Sequence, residues 1–451
     1  MKRIITLLSI IAILFANIEP AFAEEEKVTV ESTVAYPEAP EINGYAAILI
    51  DMDTGAILYA KNAHEKLYPA SITKIMTGLL AVENCALEDS FTFTQEIINA
   101  LPWDAAKYGY VPGETVNIRD LLYVLMLRSA NEVAIGLGMK IAGTEEEFGK
   151  LMTERAKEIG AVNTNFVNAT GLHDDNHYTT AYDMALISIE AMKNSTFMDV
   201  WGTPSYTVNP TNVQPDIVRI WNRHDMLVNR GMQYYAYAKG GKTGYTDEAG
   251  KTLVTYASRD GRNLMCVVMK SGAETVFSDT RLLFEYGFGD FENISIKGNE
   301  SRFGQSNDSY FVSRDHLYGS ELNLMELDDG YVTVPKGTSL QNIGYELTYV
   351  EQTEDGIIAN IEYKIGDNSL GKTSLRLNVN KEESSEASPY REEEEQDIQK
   401  QKEFPINIYV VGGILASILV LFLVIKILRK TSGKRKVKRA RKKLFKNNRL
   451  H

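Results

Sequence analysis

Ser71 and Lys74 stand three residues apart in the stretch PASITKIMT at 69–77. The apolar residues that follow repeat at intervals of three and four, which predicts a helix that begins at Ser71. The serine hydroxyl would then lie at the positive end of the helix dipole, with the lysine on the same face. A lysine kept partly neutral by burial can remove a serine proton, so Ser71 is a candidate nucleophile and Lys74 a candidate base. A serine that only caps a helix gives the same local pattern.

A second short motif interrupts another helical pattern. Residues 128–131 read RSAN, inside the second predicted helical region, from Ile118 to Gly143. The interruption predicts a buried turn that carries Ser129 and Asn131.

A third motif precedes a predicted hairpin about Asp260-Gly261. It reads KGGKTGY at 239–245, in which Lys242 and Thr243 would present a cation and a hydroxyl to an anion. Gly244 would let a ligand approach the strand backbone closely. Each motif alone is weak evidence. S-x-x-K, S-x-N and K-T-G in this order, on helix, turn and strand, together indicate an enzyme that acylates a serine.

Other catalytic patterns are missing from the sequence. It contains no G-x-S-x-G elbow and no H-E-x-x-H, and none of its six histidines has zinc-ligand spacing with cysteine. Residues 366–373, GDNSLGKT, match a phosphate-binding loop, but the strand-like SLRLNVN follows where a helix is required, so we expect a hairpin turn. No cofactor and no metal are expected.

With these motifs the chain resembles the low-molecular-mass penicillin-binding proteins, which are serine-type D-alanyl-D-alanine carboxypeptidases. The resemblance runs from about Tyr45 to Asp290 and includes NATGLHDDNHYTTAYDMA at 168–185 and GGKTGYTDEAGKTLV at 240–254. It implies an α+β fold of the β-lactamase and transpeptidase kind, with an antiparallel sheet, flanking helices and a helical subdomain. It also implies a small all-β sandwich domain after the catalytic domain, and a membrane anchor.

The resemblance also implies a role for each motif residue. Ser71 would attack the carbonyl between two terminal D-alanines of a peptidoglycan stem peptide, with Lys74 as base, and β-lactams would be covalent inhibitors. Ser129 would relay a proton to the leaving amine, and Asn131 would orient the substrate amide. Lys242 and Thr243 would bind the terminal carboxylate beside Gly244, and the amides of Ser71 and Tyr245 would form the oxyanion hole.

One position departs from the family pattern. Many members have an arginine after the hairpin that helps to hold the terminal carboxylate, and the alignment places Val276 or Phe277 there. Arg281, one helical turn further on, is the nearest candidate replacement. His173 and His177 match the family pattern and are expected to be structural, hydrogen-bonded loop residues.

The two ends of the chain predict export and membrane anchoring. Residues 1–23 have the order of a secretory signal, although an uncleaved anchor would look similar. Residues 406–425 contain no charge and are long enough for one span, and the tail 426–451 holds 13 Lys or Arg and no Asp or Glu. Such a tail stays on the cytoplasmic side, so the body of the chain is expected outside the cell membrane. Because this body is acidic, it is not expected to bind nucleic acid.

Between these ends the sequence predicts four further parts. They are a flexible lead-in at 24–44, the catalytic domain at 45–290, the β-domain at 291–380 and an acidic stalk at 381–404. The two cysteines, Cys85 and Cys266, permit one disulfide, but free thiols are the simpler expectation.

Two other kinds of function remain open at this stage. One is a β-lactamase or an endopeptidase of the same superfamily, and the other is a catalytically inert module that binds the cell wall. Stable labelling by a fluorescent penicillin, turnover of the penicillin, or no labelling would separate the carboxypeptidase from these two alternatives.

Overall fold

The structure is a computed structural model, and it describes residues 27–303, 325–350 and 356–377. This part of the chain consists of helices and antiparallel strands. The strands are β1 (Lys27–Val30), β2 (Ala46–Asp51), β3 (Ile57–Lys61), β4 (Ser90–Thr92), β5 (Thr115–Asn117), β6 (Ser205–Val208), β7 (Val218–Trp221), β8 (Ala238–Thr246), β9 (Gly250–Arg259), β10 (Arg262–Ser271), β11 (Phe291–Ser295), β12 (Met325–Leu327), β13 (Tyr331–Pro335), β14 (Gly344–Tyr349), β15 (Ile357–Ile365) and β16 (Asn368–Leu377). The helices are α1 (Lys74–Asn84), α2 (Gln95–Asn99), α3 (Ile118–Tyr123), α4 (Asn131–Ala142), α5 (Glu145–Glu158), α6 (Ala181–Met192), α7 (Ser195–Gly202) and α8 (Thr275–Asp290).

The central sheet is antiparallel and has the spatial order β3, β2, β10, β9, β8. Its β9–β10 hairpin turns at Asp260 and Gly261, which have φ angles of 52° and 83°. Two consecutive residues with positive φ match the right-handed twist of the paired strands, so the Asp-Gly signal in the sequence predicted this turn correctly. Strand β8, which carries Lys242, Thr243 and Gly244, lies at the edge of the sheet.

Alternating residues of the sheet supply two separate apolar cores. Ile48 and Met265 point into a large core shared with α1, α4 and α6. Leu49 and Cys266 point to the other face, which α8 covers with Phe284 and its apolar neighbours. Each large apolar side chain buried in this way contributes about 1.5–3 kcal/mol. The sheet is therefore held between helical layers, and its edge strand β8 is a rigid platform.

The predicted interruption of the second helical region is confirmed. After α3 the chain forms one π-helical turn, Val124–Arg128, and then Ser129 takes a left-handed conformation with φ of 60° before α4 begins. Single π-turns of this kind are frequent at functional sites. The turn directs Ser129 and Asn131 inward, where they are 5% and 3% exposed.

Most of the remaining strands form a second β region with its own apolar core. Strands β1, β14, β15, β16 and β12 form one sheet in that order, and β11 pairs with β13. The turn between β15 and β16 joins Ile365 to Asn368, so the phosphate-loop match is a hairpin turn, as expected. The expectation of a flexible lead-in at 24–44 is wrong for Lys27–Val30, because this alternating K-V-T-V segment pairs with β14.

Several expectations fall outside the described residues. These are the signal at 1–23, the stalk at 381–404, the span at 406–425 and the basic tail at 426–451. Within the described part of the chain, no helix combines the length and the apolar character needed to cross a membrane. Cys85 and Cys266 are both free thiols, of which Cys266 is buried.

Candidate active site

Ser71 lies in a tight turn at the start of α1. The 3₁₀ turn Ala70–Thr73 leads directly into the helix, and Ala70 has a positive φ of 51°. Gly171 packs against this turn so closely that a Cβ atom on it would come within 1.9 Å of the Ala70 carbonyl oxygen. The turn therefore depends on a glycine in the facing loop, and it presents the Ser71 hydroxyl at the positive end of α1.

Lys74 is fully buried and contacts three groups. Its Nζ lies 3.0 Å from Ser71 Oγ, 2.7 Å from Asn131 Oδ1 and 2.6 Å from the Thr170 carbonyl oxygen. Asn131 Oδ1 and the Thr170 oxygen can only accept hydrogen bonds from it, so they occupy two N–H groups. In a neutral amine the lone pair then faces Ser71, whose hydroxyl can donate to it.

Electrostatics favour that neutral amine. Burial holds the pKa of Lys74 well below its ordinary value, and the positive charges of Lys242 and Arg223 lower it further, while Glu132 acts in the opposite direction. A lysine with a lowered pKa can accept the proton of a serine at neutral pH. The arrangement is therefore chemically competent to generate a nucleophilic alkoxide at Ser71.

A second lysine and serine form a matching pair across the site. Lys242 Nζ donates to Ser129 Oγ at 3.0 Å and to the Thr243 carbonyl oxygen at 2.8 Å. Lys242 is 2% exposed, and burial together with the charge of Arg223 lowers its pKa to about 7. The structure thus brings residues of all three sequence motifs together, with Lys74 bonded to Asn131 and Lys242 bonded to Ser129.

Gly244 lets the edge strand approach the catalytic turn. A Cβ atom at this position would lie 2.9 Å from the Ser71 amide nitrogen and 2.3 Å from Thr252 Oγ1. The Thr252 hydroxyl donates to the Pro69 carbonyl oxygen at 2.8 Å, which ties the sheet to the chain just before Ser71. The glycine that the sequence indicated for close ligand approach is therefore also required for close packing within the protein.

These groups surround a cavity of about 670 Å³. Its lining includes the predicted residues Ser71, Ser129, Thr243, Gly244 and Tyr245. It also includes Val276 and Phe277, where the alignment placed the missing arginine, and five residues that the sequence did not single out: Asp104, Ala106, Arg223, Asp225 and Lys251. A cavity of this size with a few convergent polar groups is typical of a small-molecule or peptide site.

Arg281 is not among the residues that line the cavity. Its guanidinium donates to the carbonyl oxygens of Gln233 and Tyr234 at 3.0 and 2.8 Å and lies over the ring of Tyr235. These contacts hold the side chain in a backbone pocket beside α8. The structure therefore does not support the expectation that Arg281 replaces the missing arginine.

Arg223, unlike Arg281, is among the residues that line the cavity. It follows β7, its backbone N–H donates to the Leu127 carbonyl oxygen at 3.1 Å, and its side chain lines the cavity. In the described part of the chain no carboxylate forms an ion pair with it, although its charge lowers the pKa of Lys242. No local pattern in the sequence separates Arg223 from nearby arginines such as Arg219 and Arg230, so sequence reasoning missed it.

Of the two loop histidines, His177 has the hydrogen bonds that the sequence suggested, whereas His173 makes a ring contact. His177 Nδ1 accepts from the Val167 N–H at 3.2 Å, so its proton is on Nε2, which lies 2.9 Å from Thr73 Oγ1. Burial lowers the pKa of His177 to about 4, which keeps the ring neutral at pH 7. His173 packs edge-on against the ring of Tyr68. Within the described residues, no group of His, Cys, Asp and Glu side chains is arranged to hold a metal ion.

Comparison with known proteins places this site in a family. The sequence profile of the D-alanyl-D-alanine carboxypeptidases matches residues 33–273. The chain is 34% identical to the D-alanyl-D-alanine carboxypeptidase DacF of Bacillus subtilis, over 61% of this chain and 67% of DacF. It is 30% identical to the D-alanyl-D-alanine carboxypeptidase DacC of Escherichia coli, over 82% of this chain and 90% of DacC.

Solved structures agree with the sequence relatives. The Streptomyces K15 DD-transpeptidase superposes with a TM-score of 0.52 at 29% identity, covering 56% of this chain and 99% of that enzyme. A D-alanyl-D-alanine carboxypeptidase of Mycobacterium tuberculosis superposes with a TM-score of 0.52 at 28% identity, covering 57% of this chain and 96% of that protein. The fold is thus that of the penicillin-binding and transpeptidase enzymes, and the chain belongs to the D-alanyl-D-alanine carboxypeptidase family.

Proposed function

We propose that this protein is a serine-type carboxypeptidase that removes the terminal D-alanine from peptidoglycan stem peptides through an acyl-enzyme on Ser71. The observation that carries the proposal is the contact of 3.0 Å between Lys74 Nζ and Ser71 Oγ at the edge of an open cavity. The second contact of 3.0 Å, between Lys242 Nζ and Ser129 Oγ, supports it.

The first chemical step is acylation. Lys74 takes the hydroxyl proton of Ser71, and Oγ attacks the carbonyl carbon between the two D-alanines. The carbonyl oxygen becomes an oxyanion, which the amides of Ser71 and Tyr245 stabilise. The C–N bond then breaks, and the proton that Lys74 accepted passes through Ser129, assisted by the adjacent Lys242, to the leaving amine. D-Alanine departs, and Lys74 is neutral again. Hydrolysis of the ester by water, again with Lys74 as base, regenerates Ser71.

The terminal carboxylate of the substrate is held by Lys242, Thr243 and Arg223 in this proposal. Thr243 and Arg223 line the cavity, and the buried Lys242 contacts it through its bond to Ser129. The Arg223 guanidinium forms no ion pair among the described residues. Arginine recognises carboxylates through paired N–H groups, which makes it well suited to this position. Asn131 positions the substrate amide and, through its bond to Lys74, also orients the base.

Fluorescent penicillin and a D-Ala-D-Ala peptide test the proposal together. We expect stable labelling at Ser71 and release of D-alanine by the wild-type protein. Ser71→Ala should abolish both, and Ser90→Ala, a control at an exposed serine, should change neither. Rapid turnover of the penicillin would identify a β-lactamase, and an unlabelled wild-type protein that releases no D-alanine would identify an inert wall-binding module.

We also propose that residues 1–23 are a cleaved signal, that 406–425 cross the cell membrane once, and that the catalytic body is extracytoplasmic. The apolar composition of 406–425 and the 13 basic residues after it support this topology. Protease added to intact cells should remove the catalytic body and leave a tag at the C-terminus protected. Protection of the body instead would overturn both the topology and the access to peptidoglycan.

Finally, we propose that residues 291–380 are a separate small β-domain. The apolar cluster that contains Val332, Ile361 and Tyr363 is distinct from the two clusters around the central sheet, which supports the proposal. A chain that ends at residue 290 should then still be labelled by fluorescent penicillin. Loss of labelling together with loss of cooperative unfolding would contradict an independent catalytic domain.

A further inference from the structure

A buried carboxylate lies directly after Asn131, and the reaction described above does not use it. Glu132 is 1% exposed. Its Oε1 accepts hydrogen bonds from the backbone N–H groups of Tyr108 and Gly109 at 2.7 and 2.8 Å. Its Oε2 is buried without a hydrogen-bond partner among the described residues. Because burying a carboxylate with an unpartnered oxygen costs free energy, its presence here calls for a compensating role.

One consequence of these bonds is the position of the loop 104–109, hereafter the wall loop. Asp104 and Ala106 of this loop line the catalytic cavity. The Ala106 carbonyl oxygen accepts from the Asn131 N–H at 2.9 Å, and the two amides at the end of the loop donate to Glu132. Two consecutive residues at the start of α4 therefore hold the wall loop at two points, and one of them also contacts the base Lys74.

The other consequence is electrostatic. The charged groups that act on Lys74 are Lys242 from β8, Arg223 after β7, and Glu132 from α4. The two cations lower the pKa of Lys74, in the same direction as burial, and Glu132 alone raises it. The neighbours that bond to Lys74 from the loop at Thr170 and from α4 at Asn131 are uncharged. Glu132 thus limits how far the pKa of the base falls.

We propose that Glu132 is a positioning residue for the acylation of Ser71, which fixes the wall loop through Oε1 and acts on Lys74 through its negative charge. The proposal rests on the carboxypeptidase function proposed above. It assigns one side chain to two tasks that different substitutions can separate. Glutamine keeps an oxygen that can accept the two amide bonds but removes the charge, whereas alanine removes both.

The experiment measures the second-order rate of acylation by fluorescent penicillin across pH 5 to 10 in the full chain. The acid limb of this profile reports the base that must be neutral to accept the Ser71 proton. Since Glu132 raises the pKa of Lys74, Glu132→Gln should move the acid limb to lower pH, with a plateau rate within about threefold of wild type. Glu132→Ala should in addition lower the rate about tenfold or more at every pH, because the wall loop is released.

Glu114→Gln is the matched control. Glu114 is also buried and also accepts a backbone amide nearby, from Val111 at 3.1 Å, but it is not among the charges that act on Lys74. Its variant should leave the acid limb in place. An unshifted limb in Glu132→Gln, or an equal shift in Glu114→Gln, overturns the inference.

The two levels of the proposal fail in different ways. If wild-type protein is not labelled at Ser71, the proposed function is wrong. If wild-type protein is labelled but Glu132→Gln has the wild-type pH profile, only the role of Glu132 is wrong. Thermal unfolding shows whether each variant is folded, and if Glu132→Ala does not fold, the pH profile of Glu132→Gln decides alone.

Discussion

Removal of the Arg223 guanidinium is the sharpest test of how the site recognises the terminal carboxylate of its substrate. Arg223 lines the catalytic cavity without an ion-pair partner in the described residues, whereas Arg281 is held by the Gln233 and Tyr234 carbonyl oxygens. We therefore expect Arg223→Ala to weaken recognition of the terminal carboxylate. We expect Arg281→Ala, the matched control, to leave that recognition intact.

The expected size of the effect follows from the type of contact. A hydrogen bond to a charged group contributes about 1.5–3 kcal/mol. Arg223 is an exposed residue, so solvent screening places its contribution near the lower end of that range. At about 1.4 kcal/mol per tenfold change, kcat/KM for a D-Ala-D-Ala peptide should fall about tenfold.

The assay compares two substrates that differ only at the terminal group. One is an acylated D-Ala-D-Ala peptide with a free carboxylate, and the other is the same peptide with a C-terminal amide. Measurements at pH 6 keep Lys242 mostly protonated, because its pKa is about 7 and removal of Arg223 can only raise it. In Arg223→Ala, kcat/KM should fall about tenfold for the peptide with the free carboxylate and less than about twofold for the peptide amide.

Equal losses on the two substrates would refute the reasoning, because they would show that Arg223 supports the structure of the cavity and does not bind the carboxylate. A lower kcat/KM of Arg281→Ala for the peptide with the free carboxylate alone would also refute the reasoning. Arg281 would then have to leave the carbonyl oxygens of Gln233 and Tyr234 when substrate binds.

Three further predictions concern packing and pH. Gly244→Ala should lower the acylation rate about tenfold, because its Cβ would lie 2.9 Å from the Ser71 amide nitrogen and force a shift of about 0.5 Å. Gly289→Ala, whose Cβ would meet no described atom within 4 Å, should have no effect. Lys242→Met should be more stable than wild type in thermal unfolding. The pKa of Lys242 is about 7 in the folded protein against an ordinary 10.5, so wild-type stability rises with pH across that window. The difference in stability should therefore be larger at pH 7 than at pH 10. The buried neutral His177 has a pKa of about 4 against an ordinary 6.5, so the free energy of unfolding in urea should fall between pH 6.5 and pH 4, and it should fall less in His177→Gln; equal slopes would contradict this.

Features with a local signal could be predicted from the sequence. The Asp260-Gly261 turn requires positive φ at both residues, and these residue types tolerate it. The helix near Ser71 and the interruption at Ser129 follow from apolar spacing and its break, although the α-helix itself begins at Lys74, after a 3₁₀ turn over Ala70–Thr73. That the three motifs meet in one site could be predicted only from the family resemblance. The spacing within each motif contains no information about how the motifs are arranged relative to one another.

Features that depend on distant partners could not be predicted in the same way. Arg281 is one helical turn beyond Phe277, but the direction of its side chain is set by the carbonyl oxygens of Gln233 and Tyr234, some 47 and more residues away in sequence. Lys27–Val30 forms a strand only because β14 lies beside it, and Lys27 and its partner Glu346 are 319 positions apart in the sequence. No local pattern contains these contacts.

Energetically costly features concentrate around Ser71. Of the five non-glycine residues with positive φ among the described residues, Ala70 precedes Ser71, the proposed nucleophile, and Ser129 is the proposed proton relay. Lys74 and Lys242 are both buried, and one oxygen of the buried carboxylate Glu132 has no hydrogen-bond partner among the residues that the structure describes. Each feature destabilises the fold by itself, so a chain selected for stability alone would replace them with apolar side chains and relaxed turns. Their position around one cavity indicates that the two apolar cores and the central sheet supply the stability that keeps the strained Ala70 and Ser129, and two buried lysines with lowered pKa, in place.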